Sequence, residues 1–355
     1  MSINVSSLLS KVKLIYVIRY IAGLILSPER KTCTKISKLF GVSHDTIYQF
    51  LLSHEKLLIL FPQLLTCVVK HFSQQKKGWL ILDDTGISKR FSKFIEGATQ
   101  YYNTCENRLD YGMSLVVIAW SNGNVTIPIG YSFWYHKDVS QGSYKKKCTL
   151  AQDLILECIK NDIDFEYVVA DGLYFSREMV EFFQKNKINF EMRAHANRSV
   201  EINGIKQQLK FNSHMRLQKN QRSKVVRAYW YEHHLFFTTV KRKDKNGEYS
   251  IVYQVSNMNK TAKEHVEIYK QRWAIEKIFR TAKQKLGLAH CAARNLNKQK
   301  LHVYAVFTAY AYLEIEKIET NKPNPESVVS YLQSVKLECA ASRIASLIRN
   351  FAHVA

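Results

Sequence analysis

Two short apolar runs that each end in aspartate limit the fold of this 355-residue chain more than any other feature. The first, GWLILDD, ends at Asp83 and Asp84, and the second, YVVAD, ends at Asp171. Apolar runs of this length, bounded by turn residues, predict buried strands. Between them, an SNGN turn predicts a hairpin and a helical segment leads into the second run. The order predicts an α/β fold with carboxylates at the ends of its strands.

A later helical stretch, YKQRWAIEKIFRTAK, gathers polar side chains on one face. At about 100° per residue, four of them project within roughly 60° of one another. They are Tyr269, Arg272, Glu276 and Lys283. Arg280 projects close to the same strip, while a neighbouring apolar stripe predicts that the helix is buried from behind. Glu276 is therefore a third acidic candidate, on an element separate from the two strands.

These three acidic positions suggest a metal site. A single aspartate at a strand end is usually a turn or cap residue, but three carboxylates from separate elements form a more specific pattern. Mg²⁺ prefers oxygen ligands and keeps several waters, so two or three carboxylates suffice to bind it. The candidate ligands are Asp83, Asp171 and Glu276. Asp84 is the alternative to Asp83, because adjacent strand residues face opposite sides.

Charge and composition narrow the partner. Lys and Arg number 52 against 30 Asp and Glu, a net charge of +22 that favours a polyanionic partner, most commonly nucleic acid. Charge alone would also fit an anionic membrane or a ribosome. The seven cysteines form no CxxC pair, which suits a reducing cytosol. An apolar run near the N-terminus is interrupted by Arg19, and another from Leu301 is too short to span a bilayer, so we expect a soluble, cytoplasmic protein without a membrane partner.

The N-terminal residues read as short helices, and the segment at about 33–52 has the pattern of a helix-turn-helix. Gly41 permits a tight turn, and Ser43 can cap a second helix that runs from about His44 to Leu52. Any helical hairpin with a glycine turn would give the same pattern, but the basic surroundings favour DNA. The side chains expected at the DNA are Ser43, His44, Thr46 and Tyr48.

Together these motifs resemble those of DDE transposases of bacterial insertion sequences, in the subgroup with a Tyr-Arg-Glu-Lys signature. The signature, Y-x2-R-x3-E-x6-K, is matched by Tyr269, Arg272, Glu276 and Lys283. The D-x-T stretch of the family is matched by Asp83-Asp84-Thr85, with Asp83 at the metal position, and its second aspartate by VVADGLYFS. The resemblance covers roughly residues 78 to 313.

The resemblance implies a ribonuclease H-like catalytic core with a β-rich insertion and an all-α N-terminal DNA-binding region. The implied regions are 1–75 for DNA binding, 76–198 and 261–320 for the core, 199–260 for the insertion, and 321–355 for a helical C-terminal tail. In such a core, Asp83, Asp171 and Glu276 would bind two Mg²⁺ ions, for which Mn²⁺ can substitute. Two metal ions about 3.5–4 Å apart can activate a nucleophile and stabilise the leaving oxygen at a phosphodiester.

The resemblance also implies contacts with DNA. Tyr269, Arg272 and Lys283 would hold phosphates of the transposon end, with a further contact from Arg280. In the family an aromatic residue of the insertion receives a flipped base, and Trp230 or Tyr229 could do so here, although packing within a small sheet is the commoner role of a strand aromatic. The implied partners are double-stranded DNA, as transposon ends and target, and a second copy in a homodimer, with the tail as a candidate interface.

The predicted function is cut-and-paste transposition at terminal inverted repeats. One alternative is a hydrolytic nuclease of the same fold, but it would need neither the phosphate-binding strip nor the insertion. The other is an inactive or domesticated helix-turn-helix DNA-binding protein, which predicts the loss of at least one carboxylate. All three acidic positions are present, which favours catalysis.

Overall fold

The computed structural model describes residues 14–52, 54–92, 94–103, 106–137, 144–243 and 246–354, so the first part of the predicted N-terminal region lies outside the described residues. The helices are α1 (Leu14–Leu26), α2 (Cys33–Leu39), α3 (His44–Leu52), α4 (His54–Ser73), α5 (Lys147–Lys160), α6 (Arg177–Lys185), α7 (Ala262–Lys270), α8 (Trp273–Gln284), α9 (Leu296–Glu319), α10 (Pro325–Ser334) and α11 (Leu337–Val354). The strands are β1 (Gly78–Ser88), β2 (Thr99–Asn103), β3 (Arg108–Ser121), β4 (Thr126–Trp134), β5 (Phe165–Ala170), β6 (Phe190–Ala194), β7 (Ser199–Ile202), β8 (Ile205–Gln208), β9 (Ser223–Trp230), β10 (His233–Lys243) and β11 (Tyr249–Ser256).

All eleven described strands belong to one mixed sheet, in the order β2-β3-β1-β5-β6-β11-β10-β9-β7-β8, with β4 also paired to β3. β1 is antiparallel to β3 and parallel to β5, and β5 is parallel to β6. The strands of the predicted insertion do not form a sheet of their own. They extend the central sheet, because β11 pairs with β6.

The centre of the sheet is buried by helices. Leu80, Ile81 and Leu82 of β1 have no exposed surface, as expected for a strand covered on both faces. α5 packs on β3 and β4, α8 packs on β1 and β4, and α7 covers β6 together with β9, β10 and β11. Asp83, in the middle of β1, and the start of α8 are thereby held next to each other.

The helix-turn-helix segment folds as α2 and α3. Gly41, between them, has a φ of 61°, a conformation that glycine adopts without strain. The Ser43 hydroxyl oxygen accepts a hydrogen bond from the Thr46 backbone N–H at 3.2 Å and so caps α3. Phe50 of α3 stacks on Tyr20 of α1 with 4.1 Å between the ring centroids, which fixes α3 against α1.

Among the described residues, one helix is long and apolar enough to cross a membrane, namely Glu55–Ser73 of α4. The expectation that the N-terminal region consists of short helices is wrong here, because α4 has 20 residues. Its side chains Leu57, Phe61 and Leu65 have no exposed surface, and the helix packs against α9 and β4. Packing inside the protein accounts for its apolar composition.

The C-terminal tail folds as α10 and α11, which pack against α1. Val328 and Leu332 are fully buried, and Gln333 Nε2 donates a hydrogen bond to the Ile25 carbonyl oxygen at 3.1 Å. On α11, Arg343 Nη2 lies 2.5 Å from Glu316 Oε1 of α9. These buried residues of the tail, a candidate dimer interface in the sequence analysis, therefore pack within the chain.

Candidate active site

Asp83 and Asp171 lie side by side, but the prediction that the first strand ends at Asp83 and Asp84 is wrong, because β1 continues to Ser88 through its pairing with β3. In the parallel pair β1–β5, Leu82 is opposite Ala170, so the next residues, Asp83 and Asp171, occupy equivalent positions on adjacent strands. Asp171 follows the last residue of β5 and precedes a short 3₁₀ turn, Gly172–Tyr174. The parallel pairing of β1 with β5 thus brings together two carboxylates that are far apart in the sequence.

Arg272 connects these aspartates to Glu276. Its Nη1 donates hydrogen bonds to Asp83 Oδ2 and, at 3.2 Å, to Glu276 Oε1. Burial by itself would lower the pKa of the Arg272 guanidinium, but the negative charges of Asp83, Asp171 and Glu276 raise it overall. The guanidinium therefore stays positively charged; it contacts Asp83 and Glu276 and is attracted by the charge of Asp171.

Tyr269 completes this cluster on the side of Asp171. Its hydroxyl donates a hydrogen bond to Asp171 Oδ1 at 3.4 Å. Burial raises the pKa of the Tyr269 hydroxyl to about 12, so it stays a proton donor at neutral pH. α7, which carries this residue, begins with a capping box: Thr261 Oγ1 accepts from the Glu264 N–H, and Glu264 Oε2 accepts from the Thr261 N–H at 2.8 Å.

Asp83 and Asp84 have different surroundings. The Asp83 side chain is only 12% exposed and contacts Arg272, whereas Asp84 pairs with Lys147 at 2.6 Å and is less buried. Burial raises the pKa of the Asp83 carboxyl to about 7, an effect that the charges of Asp84 and Glu276 reinforce and that of Arg272 opposes. Asp83 is the aspartate that shares a partner with Glu276.

The predicted single helix from Tyr269 to Lys283 is wrong in one respect, since it is divided into α7 and α8. At the junction, the Gln271 N–H donates to the Ile268 carbonyl at 3.0 Å and the Arg272 N–H donates to the Tyr269 carbonyl at 3.1 Å. These three-residue hydrogen bonds are those of a 3₁₀ turn, in which side chains three positions apart eclipse each other. Tyr269 and Arg272 therefore still project to the same side.

The other two basic residues of the strip lie further along α8. Arg280 Nε is 3.3 Å from Glu326 Oε1 of α10, so Arg280 contacts the tail and not the carboxylate cluster. Lys283 is half-buried and lies two turns beyond Glu276. The structure thus brings together Tyr269 and Arg272 with the carboxylates, and places the remaining cations at a distance along the same helix.

Trp230 packs inside the protein. Its side chain is 4% exposed, and its ring centroid lies 4.3 Å from that of Phe175, which ends the turn after Asp171. In this structure neither face of the Trp230 ring is open to a base, so the packing role that the sequence also allowed is the one observed. Tyr229, on the opposite face of β9, is 45% exposed beside His234 at 3.5 Å.

Two lysines with specific contacts were not found from the sequence, one beside Asp84 and one just beyond the end of β1. Lys147, the last of the run Lys145–Lys147 before α5, pairs with Asp84 and lies 5.4 Å from the ring of Trp134. Lys89, just beyond β1, donates to the carbonyl oxygens of Ala289 at 2.9 Å and Cys291 at 2.7 Å, which ties β1 to the loop after α8. Burial lowers the pKa of Lys89 to about 8. The lysine run was a visible signal for the first, but a single lysine gives none for the second.

The cluster has the donor chemistry of a divalent-metal site, because all of its acidic groups supply oxygen ligands. A cation already lies among them, the Arg272 guanidinium, and this shows that the local field favours positive charge. With Arg272 in this position, no three Asp, Glu, His or Cys side chains within the described ranges are arranged to hold an ion. The carboxylates therefore suit a divalent metal ion, but such an ion cannot bind between them while the Arg272 guanidinium occupies its present position.

Comparison with known proteins identifies the family. The family model of the transposase DDE domain matches residues 74–312, more than half of the chain. A search of curated proteins found no match. The matched span contains Asp83, Asp171 and Glu276, and it includes β1, β5 and α8. The chain therefore belongs to the transposase DDE domain family.

Proposed function

We propose that this protein is a cut-and-paste DNA transposase that binds the terminal inverted repeats of its insertion sequence, cleaves DNA strands there and transfers them to a target. The observation that carries the proposal is the meeting of Asp83, Asp171 and Glu276, from three separate elements, around Arg272. The strand order β4-β3-β1-β5-β6 supports a ribonuclease H-like core, formed by residues 76–198 and 261–320. On this proposal, the enzyme works in the cytoplasm on chromosomal or plasmid DNA.

The carboxylates would hold the cofactor. Asp83, Asp171 and Glu276 are the proposed ligands of two Mg²⁺ or Mn²⁺ ions. Such ions, when bound, activate the attacking oxygen and stabilise the leaving oxygen of the phosphodiester. The positions of the three carboxylates would determine where the ions lie, and thereby where the attacking and leaving oxygens are placed. Asp84 pairs with Lys147, so we assign it a supporting role.

The polar strip would hold the DNA backbone. Arg272 can offer a planar fork of donors to phosphate, the geometry in which arginine binds oxyanions best. The Tyr269 hydroxyl stays protonated because burial raises its pKa to about 12, so it can donate to a phosphate oxygen. Lys283 would contact a phosphate further along the strand. A net charge of +22 supports this assignment, because the chain attracts a polyanion over its whole surface.

The N-terminal helices would recognise the transposon end. Ser43 and His44 at the start of α3 are exposed, as required of residues that enter a DNA groove. Tyr48 accepts a hydrogen bond from Lys298 Nζ at 2.8 Å, so it also links this helix to α9. We assign region 1–75 to DNA-end binding and region 199–260 to an insertion that extends the sheet. Region 321–355 is assigned to a tail that packs against α1. A homodimer on paired ends belongs to the same proposal.

The test uses linear DNA that carries the inverted repeats flanking the coding region. Glu276→Gln should abolish Mg²⁺-dependent strand cleavage and leave end binding largely intact, because the amide cannot supply a charged ligand. Glu267→Gln is the matched control, since Glu267 lies on α7 and pairs with Lys270. Undiminished cleavage by Glu276→Gln would contradict the assignment. Cleaved ends that are never joined to target DNA would favour the hydrolytic nuclease.

A further inference from the structure

The position of Arg272 raises a question about how the site is assembled. One guanidinium nitrogen, Nη1, contacts both Asp83 of β1 and Glu276 of α8. A divalent ion shared by the same two carboxylates would need the space that this nitrogen occupies. The metal site therefore cannot form while Arg272 stays where it is.

We infer that Arg272 is an internal counter-cation: in the DNA-free protein its guanidinium occupies the metal position between Asp83 and Glu276, and a DNA phosphate draws it away so that a divalent ion can bind. The inference rests on the proposed function, because it takes these two carboxylates as metal ligands. It adds a rule for assembly, namely that DNA and metal bind to the site together.

The hydrogen bonds of Arg272 explain why the exchange is favourable. Both bonds to the carboxylates use Nη1, and the buried Nε has no partner. A buried donor without a partner is unfavourable, because it has lost its hydrogen bonds with water. A phosphate can accept two parallel hydrogen bonds from a guanidinium, including one from Nε. Arg272 therefore gains a partner when it leaves the carboxylates, and the carboxylates gain an ion of higher charge.

The surroundings of Arg272 provide a short path for this movement. The residue lies in the 3₁₀ junction between α7 and α8, and its side chain is still 14% exposed. Its Cζ lies 6.0 Å from the ring centroid of Trp273, an exposed residue. A guanidinium is attracted to the face of an indole ring, so Trp273 can support the side chain as it turns outward.

This arrangement couples the two ligands of the enzyme. DNA that binds Arg272 raises the affinity of the carboxylates for metal, and metal raises the affinity for DNA by the same factor, because coupling is reciprocal. In the absence of DNA, free divalent ions would not occupy the site. The enzyme would then hold the metal that cleavage needs only where a DNA phosphate backbone is already bound.

The test measures Mn²⁺ binding to the full-length, DNA-free chain by isothermal titration calorimetry. Arg272→Ala should bind Mn²⁺ about 10-fold or more tightly than the wild type, in line with common coupling strengths. The double variant Arg272→Ala/Asp83→Asn should lose that gain, which places the ion at this site. Lys277→Ala is the matched control, because it removes an exposed positive charge next to Glu276 without freeing the carboxylates. Its affinity should stay within about twofold of the wild type.

A second measurement distinguishes the loss of the exchange from a folding defect of the Arg272→Ala variant. A duplex of the transposon end should raise the Mn²⁺ affinity of the wild type but not that of Arg272→Ala. Equal Mn²⁺ affinities for the DNA-free wild type and Arg272→Ala, with both proteins folded by circular dichroism, would overturn the inference. If Asp83→Asn still abolished cleavage in that case, the proposed metal ligands would stand and only the exchange would fail.

Discussion

Two ionic clusters on the same sheet differ in how they are built. In the Asp83–Arg272–Glu276 cluster, one cation is shared among several carboxylates, and Glu276 is partly exposed. In the pair formed by Glu191 of β6 and His265 of α7, Nδ1 and Oε2 are 2.6 Å apart and neither side chain has any exposed surface. The first cluster can exchange partners with solvent species, and the second cannot.

The difference separates a functional role from an architectural one. The sealed Glu191–His265 pair holds α7 on the sheet one turn before Tyr269, which reaches Asp171. Burying a pair of this kind costs desolvation free energy that its own attraction must repay, and the loss of one partner leaves the other uncompensated. The open cluster has more carboxylates than cations. This excess of acidic groups suits a site that receives another cation.

The largest effect on stability is expected at the sealed pair. Glu191→Leu or His265→Leu alone should reduce the free energy of unfolding by about 3–5 kcal/mol, because each leaves a buried polar partner unpaired. The double variant should lose far less than the sum of the two, since it removes both polar groups together. Urea denaturation of the four proteins measures the coupling. Additive losses would mean that the two side chains act independently.

A smaller effect is expected at His302, which is also sealed but has neutral partners. Its Nδ1 lies 2.9 Å from the Tyr20 hydroxyl, and its Nε2 lies 3.0 Å from the Gly287 carbonyl oxygen. Burial lowers the pKa of His302 to about 3, so it stays neutral in the folded chain while an unfolded histidine titrates near 6.5. The unfolded state then binds more protons between these values, and stability falls as the pH falls through this window.

The measurement compares the wild type with His302→Gln by urea denaturation at pH 7, 6 and 5. Between pH 7 and 5 the wild type should lose roughly 2 kcal/mol from this group, with a slope that approaches about 1.4 kcal/mol per pH unit at the acid end. His302→Gln, which keeps a donor and an acceptor but does not titrate, should lack this share of the loss. Parallel pH profiles for the two proteins would show that His302 contributes nothing to acid sensitivity.

The comparison also shows what could be predicted from the sequence. Asp83 and Asp171 could be predicted to lie close together because each follows a short apolar run that forms a buried strand, although β1 continues to Ser88 beyond Asp83, along the partner strand β3. The spacing from Tyr269 to Lys283 likewise predicted a shared face, and the family match confirms a transposase DDE domain. These features depend on short stretches of chain.

Features that depend on distant neighbours could not be predicted. The division of the helix at Gln271 and Arg272 follows from packing, since nothing in this polar dipeptide breaks a helix. The pairing of β11 with β6, which joins the predicted insertion to the central sheet, depends on two edges that meet only in the folded chain. Trp230 is buried because Phe175, from the turn after Asp171, lies against it.

At the open cluster, removal of a charge should stabilise the protein. In the metal-free, DNA-free chain, burial and the nearby carboxylates disfavour a charged Asp83, although Arg272 partly compensates. Asp83→Asn should therefore raise the free energy of unfolding at pH 8 by on the order of 1 kcal/mol while it abolishes cleavage, a trade-off common at active sites. Denaturation and cleavage assays on one preparation check both. A clear loss of stability would mean that the Asp83–Arg272 contact outweighs the repulsion.

The smallest effect is expected one residue further along β1. Asp84→Asn breaks the ion pair with Lys147, but both side chains are partly exposed, and pairs of this kind contribute about 0–1 kcal/mol. The loss should shrink at high salt, because solvent screens the attraction. Lys147→Gln should cost slightly more than Asp84→Asn, since it also removes the contact with the ring of Trp134. Denaturation of both variants at low and high salt separates the two contributions. Opposite signs for Asp83→Asn and Asp84→Asn would show that adjacent carboxylates of one strand belong to different clusters, one built to be exchanged and one to hold α5 against β1.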